Sequence, residues 1–459
     1  MITLGYILRH IREEKQLSLQ SVSEASNIDV TLLSKIENGR RIATTDQVLR
    51  LAKVYGFDDT STLLIQQQSD EIISKLNISD HDIAIKALQA AEAKVTYGSK
   101  YLSLFAEAIF AKPIALESRR YIGSKAKLID WIMSTIKSET HDVHTFFDVF
   151  AGTGVVTKAA LANFDYVFTN DFLYSNNIIY QAFFSDGDYD EVKIGDILDF
   201  YNEIDPNDLP HNYFSENYGD KYFEMNVAKL IGYIRDDIEK RKSALTDKEY
   251  CILIATLIYN IDKHANTVGH FDAYIKKPIK HQTLRLRMIE AESYENIRIF
   301  KQDSNLLAKE LRADVAYIDP PYNSRQYCRF YHVYETLVKW DKPQLYGVAM
   351  KPAPENMSRY CTTKAINAFE DLIVSLNARY IVVSYNNTYN SKSSSSENKI
   401  SLAQIKHILE RCGTTHVYEC AHRFFNTGKT DFNDHKELLF ITTVDEELKR
   451  KSFTSLLCG

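Results

Sequence analysis

The sequence predicts an α/β protein on a mostly parallel sheet, preceded by a small all-helical module. Three observations carry this. From Arg119 onward, short apolar segments alternate with helical stretches, the rhythm of a parallel sheet. The first ~65 residues instead repeat apolar positions at helical spacing between capping residues. Two apolar segments end in special turns: Ala151-Gly152-Thr153-Gly154 and Asp319-Pro320-Pro321. Glycines let a ligand approach the backbone, and two prolines cannot continue a ladder. The 459 residues suggest two to four domains at about 100–200 residues each. With 45% hydrophobic and 25% charged residues the chain is neither disordered nor fibrous, and 16 Gly and 9 Pro leave little room for long flexible linkers.

In the helical module, Leu4, Ile7, Leu8 and Ile11 form one apolar stripe. Ser18 is placed to cap a second helix carrying Leu19, Val22 and Ala25, and Asp29 to cap a third with Leu32, Leu33 and Ile36 inward. Asn38-Gly39 ends the third helix, with glycine as the left-handed cap. Thr45 or Asp46 starts a further helix through Val48-Leu49-Leu51-Ala52. Residues 66–117 read as a helical connector, a plain spacer. Strand candidates are Phe146–Phe150, Tyr166–Thr169, Val315–Ile318, Tyr380–Ser384 and Leu438–Thr443. Between Asp171 and Ile299 that rhythm stops, and a mostly helical, Tyr- and Phe-rich segment reads as an insertion, 175–300, into an α/β domain spanning 118–459. Ser391 to Ser396 reads as a low-complexity loop.

The net charge of −6 excludes a uniformly basic coat but not a local basic face. The six cysteines, Cys251, Cys328, Cys361, Cys412, Cys420 and Cys458, lack zinc-finger or redox spacing and are expected as thiols in a reducing compartment. The first ten residues have no basic start and no cleavage site, so they are no signal peptide. The longest apolar run, Cys251–Ile261, is too short to span a membrane and reads as a buried helix. A soluble, cytoplasmic protein without a membrane partner is expected.

Two helices about a tight turn, the second with polar residues outward, form a DNA-reading unit. Val30, Thr31, Ser34 and Lys35 face outward here. Gln20 at the start of the second helix, with Arg40 and Arg41 after the third, could reach phosphates. The run Leu33-Ser34-Lys35-Ile36-Glu37-Asn38-Gly39-Arg40, with Gln20–Ala25 before it and Leu49-Arg50-Leu51-Ala52-Lys53 after it, resembles the phage-repressor (Cro/CI-like) helix-turn-helix family over residues 1 to about 60 of a DNA-binding domain placed at 1–65. That resemblance implies DNA contact by Gln20, Val30, Thr31, Lys35 and Arg40. Eight basic and eight acidic residues in 1–65 favour the alternative, a bundle used for contacts or dimerisation; the motif favours DNA.

The strand entering Phe150-Ala151-Gly152-Thr153-Gly154 places that turn at a strand's carboxyl end, where α/β sheets bind ligands. The third glycine of the dinucleotide fingerprint is missing. Asp171 ends the next strand, nineteen residues after Gly152, near the ~20 expected of an acid that binds ribose hydroxyls. A helix N-cap is its alternative. Asp319-Pro320-Pro321-Tyr322 follows strand Val315–Ile318 directly. There a carboxylate can accept a hydrogen bond from an amine and a ring can stack on a flat base; alone, an ordinary proline turn with a solvent Asp would explain it equally well.

Together, Tyr121-Ile122-Gly123-Ser124-Lys125, the Phe150–Gly154 turn, Asp303 and the late Asp-Pro-Pro-Tyr resemble the Dam-like DNA adenine amino-methyltransferases, over about residues 118 to 443. Tyr322-Asn323-Ser324-Arg325-Gln326-Tyr327 and Tyr331–Thr336 are similar to a restriction–modification subgroup. The resemblance implies a Rossmann-like class I methyltransferase sheet, with residues 175–300 as an inserted DNA-recognition region. It implies S-adenosylmethionine as cofactor, without a metal, held by Tyr121, Lys125, Phe150, Ala151, Gly152, Gly154, Asp171, Asp303 and Asp319. It implies catalysis by Asp319, Pro320, Pro321 and Tyr322 on an adenine flipped out of duplex DNA. DNA contacts are expected from Lys276, Lys277, Arg285, Arg287, Asn323 and Arg325. Phe271–Arg287 holds five basic residues against one acid; His422–Lys429 is a second basic stretch, as readily a solvated surface. His264 and His270 read as polar loop residues rather than metal ligands. A homodimer and a cognate restriction endonuclease, not bound to the chain, are further partners compatible with the resemblance. Two alternatives remain: a transcriptional regulator with a non-catalytic methylase-like body, and an RNA adenine methyltransferase.

Overall fold

The computed structural model describes residues 4–57, 60, 63–64, 66–68, 70–71, 113–321, 324–387, 399–421 and 436–453. The chain divides into two compact units, Met1–Ala111 and Lys112–Gly459. Most of the expected connector, the Ser391–Ser396 loop and the His422–Lys429 stretch lie outside the described residues.

In the first unit, α1 (Leu4–Glu14), α2 (Leu19–Ser26), α3 (Val30–Glu37) and α4 (Thr45–Val54) close on Leu8, Val22, Leu33, Ile36, Val48 and Leu51. The Ser18 hydroxyl accepts from the Ser21 amide, and Asp29 accepts from the Thr31 and Leu32 amides, as capping chemistry dictates. Thr44, not Thr45 or Asp46, caps α4, because Gln47 completes a reciprocal capping box with it. Ala25 points out and Ser26 in; the buried Ser26 hydroxyl is satisfied by the Val22 carbonyl at 2.7 Å. Leu49 is exposed. Gly5 lets α1 touch α3: a Cβ there would stand 2.1 Å from the Ile36 carbonyl oxygen. Glu37, nearly buried, takes a two-pronged bond from the Arg12 guanidinium at 2.8 and 2.9 Å. The acid of the Ile-Glu-Asn-Gly run therefore locks α3 onto α1.

The second unit is built on a seven-stranded sheet in the order β3-β2-β1-β4-β5-β7-β6. Its strands are β1 (Thr145–Asp148), β2 (Tyr166–Asn170), β3 (Ile297–Phe300), β4 (Arg312–Ile318), β5 (Asn377–Asn386), β6 (Gly413–Ala421) and β7 (Lys436–Val444). β1 to β5 run parallel; β7 lies antiparallel between β5 and β6. Side chains alternate between two cores: Phe146, Val315, Tyr317 and Val382 face one, and Phe147, Ala316, Ile318 and Ile381 the other. Burial on both faces is what continuous apolar strands require.

All five expected strands are present, with shifted ends. Two are additional. β3 lies inside the segment expected to be helical, at its last residues, and β6 is a polar edge strand. Between β2 and β3 stand the helices Tyr174–Phe184, Glu191–Glu203, Tyr213–Tyr218, Met225–Arg241 and Asp247–Asp262. The last contains Cys251–Ile261 and is buried almost throughout. Among the described residues no helix is long and apolar enough to cross a membrane.

Candidate active site

The sheet's strand order reverses on either side of β1, which opens a crevice beyond the carboxyl ends of β1 and β4. A cleft of about 1010 Å³, counting its open mouth, lies there. Tyr121, Lys125, Phe150, Ala151, Gly152, Asp171, Asp303, Asp319, Pro320 and Pro321 all line it, although they come from segments far apart in the chain.

Each is placed by local chemistry. The turn after β1 needs Gly152 (φ 54°) and Gly154 (φ 79°), both in the left-handed region. The Gly152 amide donates to Asp171 at 3.0 Å, and Asp171 also accepts from the Leu173 amide at 2.8 Å. Asp171 thus ties the glycine turn to the chain entering the next helix, close to its capping alternative, while still lining the cleft. Burial pushes its carboxyl up; the Leu173 and Gly152 amides oppose that. Asp303 caps the short helix Ser304–Leu307 and faces Arg359 at 3.7 Å. The ring of Tyr121 stacks on Tyr331 at 4.6 Å, and its hydroxyl accepts from Asn176 at 3.2 Å. Tyr331 also accepts from the Ile122 amide at 2.9 Å, which fixes the Tyr121–Lys125 segment.

Gly154 differs from the other expected cofactor residues. It does not line the cleft; its bare Cα makes room for the rings of Tyr180 and Phe184.

Asp319 stands where β4 ends, and the buried Pro320 follows it in the turn. Its carboxylate lies 3.0 Å from the Lys125 ammonium, which is also 3.0 Å from Glu437 of β7. Burial alone would lower the Lys125 pKa, but the two carboxylates outweigh it and hold Lys125 above its usual value. Tyr322 and Asn323 lie outside the described residues.

Several further residues at or behind the cleft wall have no site role predicted from the sequence. Asp148, fully buried, accepts from Thr157 at 2.7 Å with one oxygen, and the other has no hydrogen-bond partner. Burial pushes its carboxyl up to about 7. Gln326 exchanges two hydrogen bonds with the Ser358 backbone at 2.8 and 2.9 Å, which brings Arg359 and Tyr360 to the cleft wall. Tyr360 meets Phe150 edge-on at 5.1 Å. The Tyr331–Thr336 run packs inside: Tyr334 donates to Asp262 at 2.7 Å, and Glu335 accepts from the Tyr174 and Ser175 amides.

Of the second unit's described residues expected to meet DNA, Lys276, Lys277, Arg285, Arg287 and Arg325 are not among those lining the cleft. Lys276, Lys277 and Arg287 are exposed and Arg285 is half-buried. Their segment is anchored by the Phe271 amide donating to the Phe330 carbonyl at 2.7 Å. Arg325 lies over the Phe330 ring at 5.7 Å. His264 bonds Gln282 at 2.9 Å and His270 stacks on Phe330 at 4.5 Å. In the first unit Thr31, Lys35, Arg40 and Gln20 are exposed and Val30 is half-buried; Gln20 also donates to Glu24 at 2.8 Å.

Residues 121–409 match the D12 class N6 adenine-specific DNA methyltransferase family, and residues 3–63 match a helix-turn-helix domain family. Among similar proteins is the Type II methyltransferase M.FokI of Planomicrobium okeanokoites, 32% identical over 71% of this chain. M.NlaIII of Neisseria lactamica is 29% identical over 69% of the chain, and M.CviAII of Paramecium bursaria Chlorella virus 1 is 30% identical over 71%. The matched segment spans about half of M.FokI (53%) but 95% of M.NlaIII and 98% of M.CviAII. With the glycine turn, the acids at the strand ends and the Asp-Pro-Pro turn gathered at one cleft, the chain belongs to the D12 class of N6 adenine-specific DNA methyltransferases and carries a helix-turn-helix domain at its N-terminal end.

Proposed function

We propose that the chain transfers a methyl group from S-adenosylmethionine to the N6 amino group of adenine in duplex DNA, as the modification enzyme of a restriction–modification system. The observation that carries this is Asp319, delivered into the cleft by β4 and held by the Lys125 ammonium 3.0 Å away. A cognate endonuclease, separate from this chain, belongs to the same reading. Residues 1–65 act as a distinct module that contacts DNA a second time, and helices within 175–300 help read the target.

The cleft residues fit the cofactor. Gly152 leaves backbone bare beside the Tyr121 ring, Asp171 and Asp303 stand after β2 and β3, and one buried oxygen of Asp148 lacks a partner. Asp171 would hold the ribose hydroxyls and Asp303 the adenine ring of the cofactor, with Phe150 and Tyr121 against it. When bound, the cofactor supplies an electrophilic methyl group that the N6 lone pair takes, the bonding pair staying on sulfur.

The chain's own work is positioning and electrostatics. The target adenine leaves the duplex stack, since its amino group is otherwise paired inside the helix. Tyr322 stacks on the flipped base. Asp319 and the Pro320 carbonyl accept hydrogen bonds from the amino group, which localises its lone pair and aims it. The nitrogen gains positive charge as it attacks, and its surplus proton departs past Asp319 to water.

Transfer of labelled methyl to duplex DNA, to ribosomal RNA or to neither tests this reading. The expected product is N6-methyladenine in duplex DNA. Transfer to RNA alone, or DNA binding without transfer, would replace it with an RNA methyltransferase or a non-catalytic regulator.

A further inference from the structure

We propose that Glu437 is a positioning residue for methyl transfer, acting through Lys125 to set the orientation and net charge of Asp319. This rests on the adenine-methyltransferase reading above.

The topology brings Glu437 to the site. β7 is antiparallel to β5, so its first residues lie beside the last residues of β5, at the carboxyl edge of the parallel strands. Glu437 pairs with Asn386 and Leu439 with Ser384 in that register. A parallel strand would have delivered its other end. Glu437 is 4% exposed and is the second residue of a strand whose next residues, Leu438 to Ile441, are all apolar. A buried charge is costly unless it is paired and hydrogen-bonded. Here one oxygen of Glu437 lies 3.0 Å from the Lys125 ammonium and accepts from the Ser384 hydroxyl at 2.9 Å.

Two carboxylates therefore share one ammonium. If Lys125 faced Asp319 alone, the two charges would cancel at the point where the attacking nitrogen becomes cationic. With Glu437 the three side chains carry one net negative charge, fixed in place before reaction. Preorganised charge of that sign stabilises a cation forming in a water-poor cleft. Glu437 also holds the Lys125 ammonium at 3.0 Å, so the cation that faces the Asp319 carboxylate is itself fixed in place.

Glu437→Gln keeps the shape and removes the charge. We expect single-turnover methyl transfer to a duplex oligonucleotide to fall on the order of tenfold to a hundredfold. Dissociation constants for S-adenosylmethionine and for the DNA should stay within about threefold, with an unchanged thermal midpoint, because the loss belongs to the transition state. In a Lys125→Met background the same substitution should cost clearly less than in the wild type, since the orientation Glu437 provides passes through Lys125 while its charge does not. Glu437→Asp keeps the charge on a shorter arm and should recover part of the rate. Wild-type turnover in Glu437→Gln overturns the proposal. So does a loss seen only in binding or folding, a loss undiminished in the Lys125→Met background, or an Asp variant slower than Gln. A wild-type chain that methylates no duplex DNA overturns the underlying reading instead, and this proposal with it.

Discussion

Gly152 and Gly154 share one turn and one backbone conformation, yet their replacement should fail in different ways. Placing a side chain at either costs about 1–2 kcal/mol for the left-handed backbone. At Gly154 a Cβ would stand 3.1–3.3 Å from the rings of Tyr180 and Phe184. Both rings are essentially buried and cannot retreat, which adds roughly 1–3 kcal/mol of overpacking. Gly154→Ala should therefore lower the thermal midpoint by about 4–10 °C at ~2 °C per kcal/mol for a unit of this size. Its affinity for S-adenosylmethionine, measured well below the transition, should hold. At Gly152 the nearest atom to a Cβ is Tyr121 Cε1 at 3.5 Å, an ordinary contact. Only the backbone cost applies, so the midpoint should fall by about 2–4 °C. The new atoms stand at the cleft wall, however. Gly152→Val should weaken the cofactor tenfold or more, about 1.4 kcal/mol. Scanning calorimetry and titration calorimetry on both variants make the comparison. Unchanged affinity in folded Gly152→Val, or a Gly154→Ala protein that loses affinity but not stability, would refute the reasoning.

The remaining predictions concern charge. Burial holds the Asp148 carboxyl at about 7, so the folded chain keeps a proton that the unfolded chain releases from about pH 4 upward, and stability falls as pH rises through that window. Asp148→Asn removes this dependence; its thermal midpoint relative to wild type should be more favourable at pH 8 than at pH 5, and an equal offset at both would contradict the burial argument. In the first unit, Glu37→Ala removes the buried carboxylate that Arg12 bonds twice and leaves its guanidinium only the exposed Glu13 at 3.5 Å, a loss of about 3–5 kcal/mol and most of the stability of a module this small. Limited proteolysis of the full-length variant should cut within residues 1–65, while methyl transfer to a short oligonucleotide persists; loss of transfer would show that the two modules are not independent.

What the sequence revealed followed from local chemistry. Runs such as Val315–Ile318 and Leu438–Thr443 have to be buried, and the glycine and proline turns that end strands mark the sheet's carboxyl edge. Ser18 and Asp29 announced their helices because a cap is a contact between near neighbours. β3 was hidden because it is four residues long, contains Arg298 and is partly exposed at the sheet's edge. β6 was hidden because Thr414, His416 and Glu419 make it polar on an edge that water can satisfy. The site was legible as a set of motifs but not as a network. Nothing local told Gly154 from Gly152, since the difference lies in Tyr180 and Phe184. Lys125 suggested a cofactor ligand, and its pairing with Asp319 and Glu437 depends on three segments that meet only in the fold. The signal that could have found Glu437 is a lone acid at the head of an apolar strand, where burial demands a partner.

The most direct test of the adenine-methyltransferase assignment is single-turnover transfer of labelled methyl from S-adenosylmethionine to a duplex oligonucleotide, comparing wild type with Asp319→Ala and identifying the methylated base. The wild type should yield N6-methyladenine. Removing a carboxylate that acts mainly in the transition state should cost ~3–4 kcal/mol, a hundredfold to thousandfold fall in rate, with cofactor and DNA affinities little changed. Near-normal transfer by Asp319→Ala, or a product on any base other than adenine, would contradict the assignment.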